Sequence, residues 1–318
     1  MCLSLAGASL GPWTERFFRV ICATMAAAKQ YLGLAASLGF VAALTTMTRL
    51  DVAGAQSSAA GTSRLAVSAP HGKASDEALR LLAGKIEAAA NDVAFAILDA
   101  PTTSKDEQPA GLVASAPMVL LGRPTLAASD ASELLAWMKA TGTALKIGHG
   151  GGLSATHACA LQVQIVVGIQ ATLVAAPVGT TPLSLLRSGA VDIVCEAIPV
   201  AMADITAGTI NAYILAAEER VAGLWDLPTA DQVGVPLFSA SVWLGLYGPT
   251  DPDNRTRLNM ALQAALSDAM IAQRLADAGW TPFPLTHRSV AAHVDYAASD
   301  AERMKTLFEI AGVAKPIP

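Results

Sequence analysis

Three consecutive glycines, Gly150-Gly151-Gly152, are followed by Ser154, Ala155, Thr156 and His157. A glycine turn entering a helix exposes main-chain N–H groups, and the helix dipole adds partial positive charge there. The two together hold a carboxylate without a cationic side chain. A second segment of this kind runs Pro70-His71-Gly72-Lys73-Ala74-Ser75-Asp76. Facing each other across a cleft, the two would grip one carboxylate from both sides, and Lys73 would add a charge-assisted contact. Plainer readings stand beside these: a strand-to-helix turn for the glycines, a solvated lysine for Lys73, a helix cap for Ser154 and a structural hydrogen bond for His157. Glu196 follows an apolar run and precedes a helix, at the sheet edge where open α/β sheets bind ligands. It reads as an acid that orders a water or meets a ligand amine or hydroxyl, or as negative charge at a helix start. Trp243 reads as core.

Other chemistries lack their motifs. Beyond residue 55 the chain has no G-x-S-x-G elbow, no H-E-x-x-H occurs, no paired-carboxylate motif stands out, and Gly148 to Gly151 spells G-x-G-G rather than the dinucleotide fingerprint. Catalysis, a cofactor and a catalytic metal are therefore not expected. The four cysteines, Cys2, Cys22, Cys159 and Cys195, form no C-x-x-C pair. Cys159 falls inside a predicted helix and Cys195 at the end of a predicted strand, so both are expected as buried, unpaired thiols and no disulfide is predicted. The net charge of −5 supplies no basic footprint for nucleic acid. With 53% hydrophobic and 15% charged residues in 318, the chain is long and apolar enough for two packed domains.

Strand and helix patterns alternate along most of the chain. Strands are predicted over 64–69, 92–98, 112–121, 144–148, 171–176, 191–195, 209–216 and 239–247, the third a continuous apolar run typical of a strand buried on both faces. Helices are predicted over 75–90 (Leu79, Leu82 and Ile86 on one face), from a Ser129 cap to Gly142, from Ser154 to Gly168, from Thr181 to Gly189, and over 199–207. Residues 253–278 read as helical, in two pieces near Ser267-Asp268, and Thr286 is predicted to cap a last helix over 287–311. This alternation implies parallel α/β sheets, in two lobes with a cleft between them.

Residues 25–55 read as a secretory signal peptide: Lys29, an apolar run from Tyr31 to Ala43, and the small-x-small Ala53-Gly54-Ala55. Residues 1–24 then read as an over-extended start. Cleavage after Ala55 removes Arg16, Arg19, Lys29 and Arg49 but only two acids, Glu15 and Asp51, leaving an exported protein more acidic than the whole chain.

Five segments resemble the Bug-type extracytoplasmic solute receptors of tripartite tricarboxylate transporters. GHGGGLSATHA (148–158) is similar to that family's Gly-Asn-Gly-Ser-x-x-His-Leu loop, and APHGKASD (69–76) to its first glycine loop. GTTPLSLLRSGAVDIVCEAIPVAMADITAGTINA (179–212), LWDLPTADQVGVP (224–236) and SVWLGLYGP (241–249) are similar to three later motifs in the same order. The resemblance implies a two-lobed periplasmic binding protein, with 61–118 and 244–318 in one lobe and 119–243 in the other. It implies a small carboxylate as ligand, transporter subunits in the membrane as partner, and a monomer in the periplasm. It places Pro70, His71, Gly72, Lys73, Ala74, Ser75, Gly151, Gly152, Ser154, Ala155, Thr156, His157, Thr180 and Glu196 around the ligand. Between Ala90 and Leu112 the chain is shorter than the family pattern and lacks its Ser/Thr-rich loop. That departure leaves open a binding protein turned sensor or partner domain; an exported α/β enzyme is the further alternative.

Overall fold

The computed structural model describes residues 64–65, 73–90, 92–99, 105–221 and 223–313. All fall within one compact unit, 57–318. The predicted signal segment, Pro70, His71 and Gly72 lie outside the described residues. None of the described helices is long and apolar enough to cross a membrane.

The first half of the fold runs β1 (Arg64–Leu65), α1 (Lys73–Ala90), β2 (Ala96–Leu98), β3 (Gln108–Gly122), α2 (Ala131–Thr141), β4 (Lys146–His149), α3 (Ala155–Val167) and β5 (Thr172–Ala175). It continues through α4 (Pro182–Arg187), β6 (Ile193–Ala197), α5 (Ile198–Ala207), β7 (Asn211–Leu215), β8 (Ser241–Gly248), α6 (Pro252–Leu266), α7 (Ala269–Asp277), β9 (Thr281–Pro282) and α8 (Val290–Ile310).

β3 is the axis of the molecule. Its first part, Gln108–Pro117, pairs antiparallel with β8, which in turn carries β2 and β1. Its last part, Met118–Gly122, pairs with β6 on one side and β7 on the other, and β6 leads to β4 and β5. One strand thus serves two sheets, and its continuous apolar run follows from being covered on both faces in each. The first sheet packs Leu79, Leu82 and Ile86 of α1 against Leu258, Leu262 and Leu275 of α6 and α7. The second has α2 and α3 on one face and α4 and α5 on the other. At the change of sheet, Met118, Ala216 and Ala240 close a ring of three main-chain hydrogen bonds of 2.8 to 3.0 Å.

Four expectations are corrected. The sheets are mixed rather than parallel: β3 runs against β6, β7, β8 and β9, because β8 returns from the second sheet to lie between β2 and β3. Asp130, not Ser129, caps α2 by accepting from the Glu133 amide at 2.9 Å, while Glu133 reaches back to the Ser129 N–H and hydroxyl. Ser289 rather than Thr286 caps α8, since Leu285–His287 forms a short 3-10 turn first. Most consequentially, Cys159 and Cys195 form a disulfide, with Cα atoms 6.0 Å apart, because α3 lies directly on β6.

Candidate functional site

β4, β5 and β6 run parallel, so their C-terminal ends share one edge of the second sheet. This edge adjoins the point where the sheets meet, for Ala197 at the end of β6 lies opposite Met118. The turns after β4 and β5 and the start of α5 therefore gather there, as ligand-binding edges of α/β sheets do.

The turn after β4 is built entirely from its own polar groups. Gly151 and Gly152 have φ of 81° and 51°, left-handed conformations that glycine adopts without strain. Ser154 caps α3 by accepting from the His157 amide at 3.2 Å, and Gly168 ends the helix in a left-handed cap. The Gly150 amide donates to the Thr156 hydroxyl at 2.8 Å, which lies 3.0 Å from the Ser154 hydroxyl. The Gly151 amide donates to Nδ1 of His149 at 3.1 Å, and Nδ1 of His157 donates to the Gly152 carbonyl. These partners assign His149 the Nε2–H tautomer and His157 a proton on Nδ1. The two imidazoles stack with centroids 4.2 Å apart. Burial, and then the neighbouring His157, push His149 down to about 4, so at neutral pH it keeps the lone pair that receives Gly151. The amides of Gly152, Leu153, Ala155 and Thr156 have no partner among the described residues, and the last two belong to the first turn of α3. Those two are the orphan donors of a helix start.

His149 was not among the residues singled out from sequence. Its signal was its position: the residue directly after the predicted strand 144–148, two before a glycine that needs an acceptor.

The other expected contacts divide. Thr180 is exposed, and its hydroxyl donates to Pro177 O at 2.7 Å within its own turn. Glu196 lies at the end of β6, is 7% exposed, and accepts from the Ala197 amide at 3.0 Å through Oε1. Burial pushes its carboxyl up to about 7 against the lowering effect of that hydrogen bond. It therefore acts near neutral pH as either proton donor or acceptor. In the first sheet, Ser75 is buried and accepts from the Trp280 indole N–H at 2.7 Å, so it anchors α1 rather than facing solvent. Ala74 is exposed, and Lys73, 91% exposed, approaches Glu77 alone among the described acids, at 3.9 Å.

The two sheets touch beside Trp280. Gly279, at φ 85°, sits so near α5 that a Cβ would come within 2.6 Å of Ile198 Cγ2. The start of α1, through Ser75 and Trp280, thus lies near the start of α5 beside Glu196. Trp243 is core, packed with Leu112 and Phe283, and its indole N–H donates to Asp300 at 3.0 Å. α8 leaves this core and packs Leu307 and Phe308 on Ala158 and Leu161 of α3, which lies on the second sheet. Phe308 lies 5.4 Å from His157, centroid to centroid. Among the described residues no three histidine, cysteine or acidic groups gather as metal ligands would.

Two sheets joined through a shared strand, with turns converging on the junction, make this the fold of two-lobed periplasmic binding proteins. The solved structure of the periplasmic binding protein BugD superposes with a TM-score of 0.67 at 22% identity, over 79% of this chain and 98% of BugD. MatC from Rhodopseudomonas palustris, solved with bound malate, gives 0.64 at 22% identity, over 77% of this chain and 98% of MatC. Rpa4515 of R. palustris, solved with adipate, gives 0.68 at 19% identity, over 80% and 98%. The chain belongs to the tripartite tricarboxylate transporter family of receptors, whose model matches residues 57–312. A protein from the TAR-I ttuE-ttuC' intergenic region of Agrobacterium vitis is 28% identical over 210 residues, 65% of this chain and 61% of that protein. BugT of Bordetella pertussis is 25% identical over 180 residues, 56% of this chain and 55% of BugT. The matched part thus spans about three-fifths of these curated relatives.

Proposed function

We propose that this chain is a periplasmic receptor that captures a small organic carboxylate between its lobes and presents it to a tripartite tricarboxylate-type transporter. The observation that carries the reading is the start of α3. Two left-handed glycines and a cap use the turn's hydroxyls and imidazoles internally and leave the Ala155 and Thr156 amides open at the junction edge. Main-chain donors at a helix start suit a carboxylate and need no cation. The malate and adipate bound to MatC and Rpa4515 support the ligand class. A buried disulfide agrees with an oxidising compartment.

A thermal-shift screen over malate, adipate, citrate and monocarboxylates tests the reading, because a ligand that binds only the folded state stabilises it. At least one acid should raise the midpoint. Gly152→Val should abolish that rise, since the valine cannot hold φ of 51° without strain and the turn must rearrange. Stabilisation by no acid would favour the second reading, a sensor or partner domain. That reading draws on the short link between β2 and β3, residues 99–107.

A further inference from the structure

The Cys159–Cys195 disulfide touches both sides of the candidate site. Cys159 lies one helical turn beyond Ala155, on the same face of α3. Cys195 immediately precedes Glu196 and stands two residues before Ala197, where α5 begins. The covalent loop spans 36 residues and contains β5, the Thr180 turn and α4. We propose that this disulfide positions the site for ligand capture, by fixing the height and rotation of α3 on β6 and so the placement of the Ala155 and Thr156 amides relative to Glu196. The proposal rests on the reading that these amides receive the carboxylate.

The physical need is specific. Two side-chain hydrogen bonds tie the later part of α3, from Gln162 Nε2 to Leu237 O at 3.2 Å and from the Ala171 amide to Gln164 Oε1 at 2.7 Å, but apart from the disulfide its earlier turns meet the core with small side chains such as Ala158 and Ala160. Apolar packing is non-directional, and small side chains interlock little against sliding. A slip of one residue along a helix axis moves its end by about 1.5 Å. That shift carries a donor from about 2.9 Å out of hydrogen-bond range. A link with Cα atoms 6.0 Å apart forbids such a slip, and it stands at the helix end where the amides are. Both cysteines are buried, which suits a permanent brace rather than an exchanging one.

The test compares the full chain with Cys159→Ala/Cys195→Ala and with Val163→Ala, which loosens the same helix but keeps the link. Malate and adipate are titrated into each where all are folded, and hydrogen exchange at the Gly150 and Gly151 amides is read by NMR without ligand. We expect the double variant to bind about tenfold more weakly or worse and to exchange about tenfold faster. Val163→Ala should stay within about threefold of the parent in both. Where the parent binds an acid, affinity decides: an unchanged Kd in the double variant overturns the proposal, and so does an equal loss in Val163→Ala. Where the parent binds neither acid, the receptor reading fails on these probes and exchange decides. Faster exchange in the double variant alone then keeps the positioning role, and any other pattern removes it. Should the double variant not fold, Cys159→Val/Cys195→Ala, which refills the volume with apolar atoms, takes its place.

Discussion

The two helix starts that the sequence pairs as a carboxylate grip are made by different means. At α3, His149, Ser154, Thr156 and His157 all turn inward on one short loop, and a disulfide holds the helix below it. At α1, the described residues offer one buried hydrogen bond, Ser75 to Trp280, across 205 residues of sequence. The second lobe shapes its half locally, with polar contacts among near neighbours. The first lobe fixes its half from a distance, by burial. Substitutions in the loop should therefore show their effect in the second lobe and near the site, whereas the start of α1 should respond to changes far away in the chain.

The largest stability effect is expected from Cys159→Ala/Cys195→Ala. A closed loop of 36 residues corresponds to roughly 3–4 kcal/mol of stabilisation in the chain-entropy model. Urea unfolding of the oxidised parent and the double variant measures it. A loss under about 1 kcal/mol would mean that packing alone holds α3.

Next is pH, where buried histidines and a buried carboxyl should pull in opposite directions. In the first lobe His293 is wholly buried between Trp243 and Tyr247, accepts from the Gly111 amide at Nδ1, and is pushed by burial from 6.5 down to about 4. The unfolded chain binds its proton first, so stability is lost as pH falls from 6.5 toward 4, by roughly 3 kcal/mol. His149, at the end of β4 in the second sheet, acts in the same direction. In the second lobe Glu196 is pushed up from 4.5 to about 7, so the folded state keeps its proton longer and stability is lost as pH rises through 7. Glu196→Gln should accordingly gain about 2 kcal/mol at pH 8 and almost nothing at pH 4, by denaturant titration at each pH. Equal gains at both would show that the carboxyl's charge is not what costs stability.

Smaller effects separate the helix starts directly. Ser75→Ala removes the buried hydroxyl that receives the Trp280 indole N–H and should cost about 2 kcal/mol. Ser154→Ala removes a cap and should cost about 1 kcal/mol, with Ser154→Gly nearer to the parent. Lys73→Ala should change stability by less than about 0.5 kcal/mol, as its only ion pair among the described residues is exposed. Thermal unfolding ranks the three, and a larger loss at Ser154 than at Ser75 would break the contrast.

Local signals carried most of the elements. Ser154 and Gly168 bound α3, and Ser267-Asp268 separates α6 from α7, because caps are written in neighbouring residues. The misplaced cap at Ser129 shows the limit: two good capping residues stand side by side, and only the direction in which Glu133 turns decides between them. Strand direction is not a local property, so the mixed sheet was invisible until β8 took its place beside β3. The disulfide needed the seating of α3 on β6, and the burial of Ser75 needed Trp280. At the site, the glycine turn was legible because its conformation demands particular residues, while the inward-facing roles of its hydroxyls and imidazoles depended on three-dimensional geometry.

β2 finds its ladder partner in β8, with Ala96 opposite Tyr247, about 150 residues later in the chain. The second sheet, from Met118 to Leu215, draws its strands from one unbroken stretch. A chain emerging from its N-terminus therefore delivers every strand of that sheet before β8 appears. Meanwhile β2 and the apolar face of α1 must wait uncovered, the kind of exposure on which chaperones act. Assembly of the molecule is ordered by this one insertion: the lobe that begins first is the lobe that must finish last.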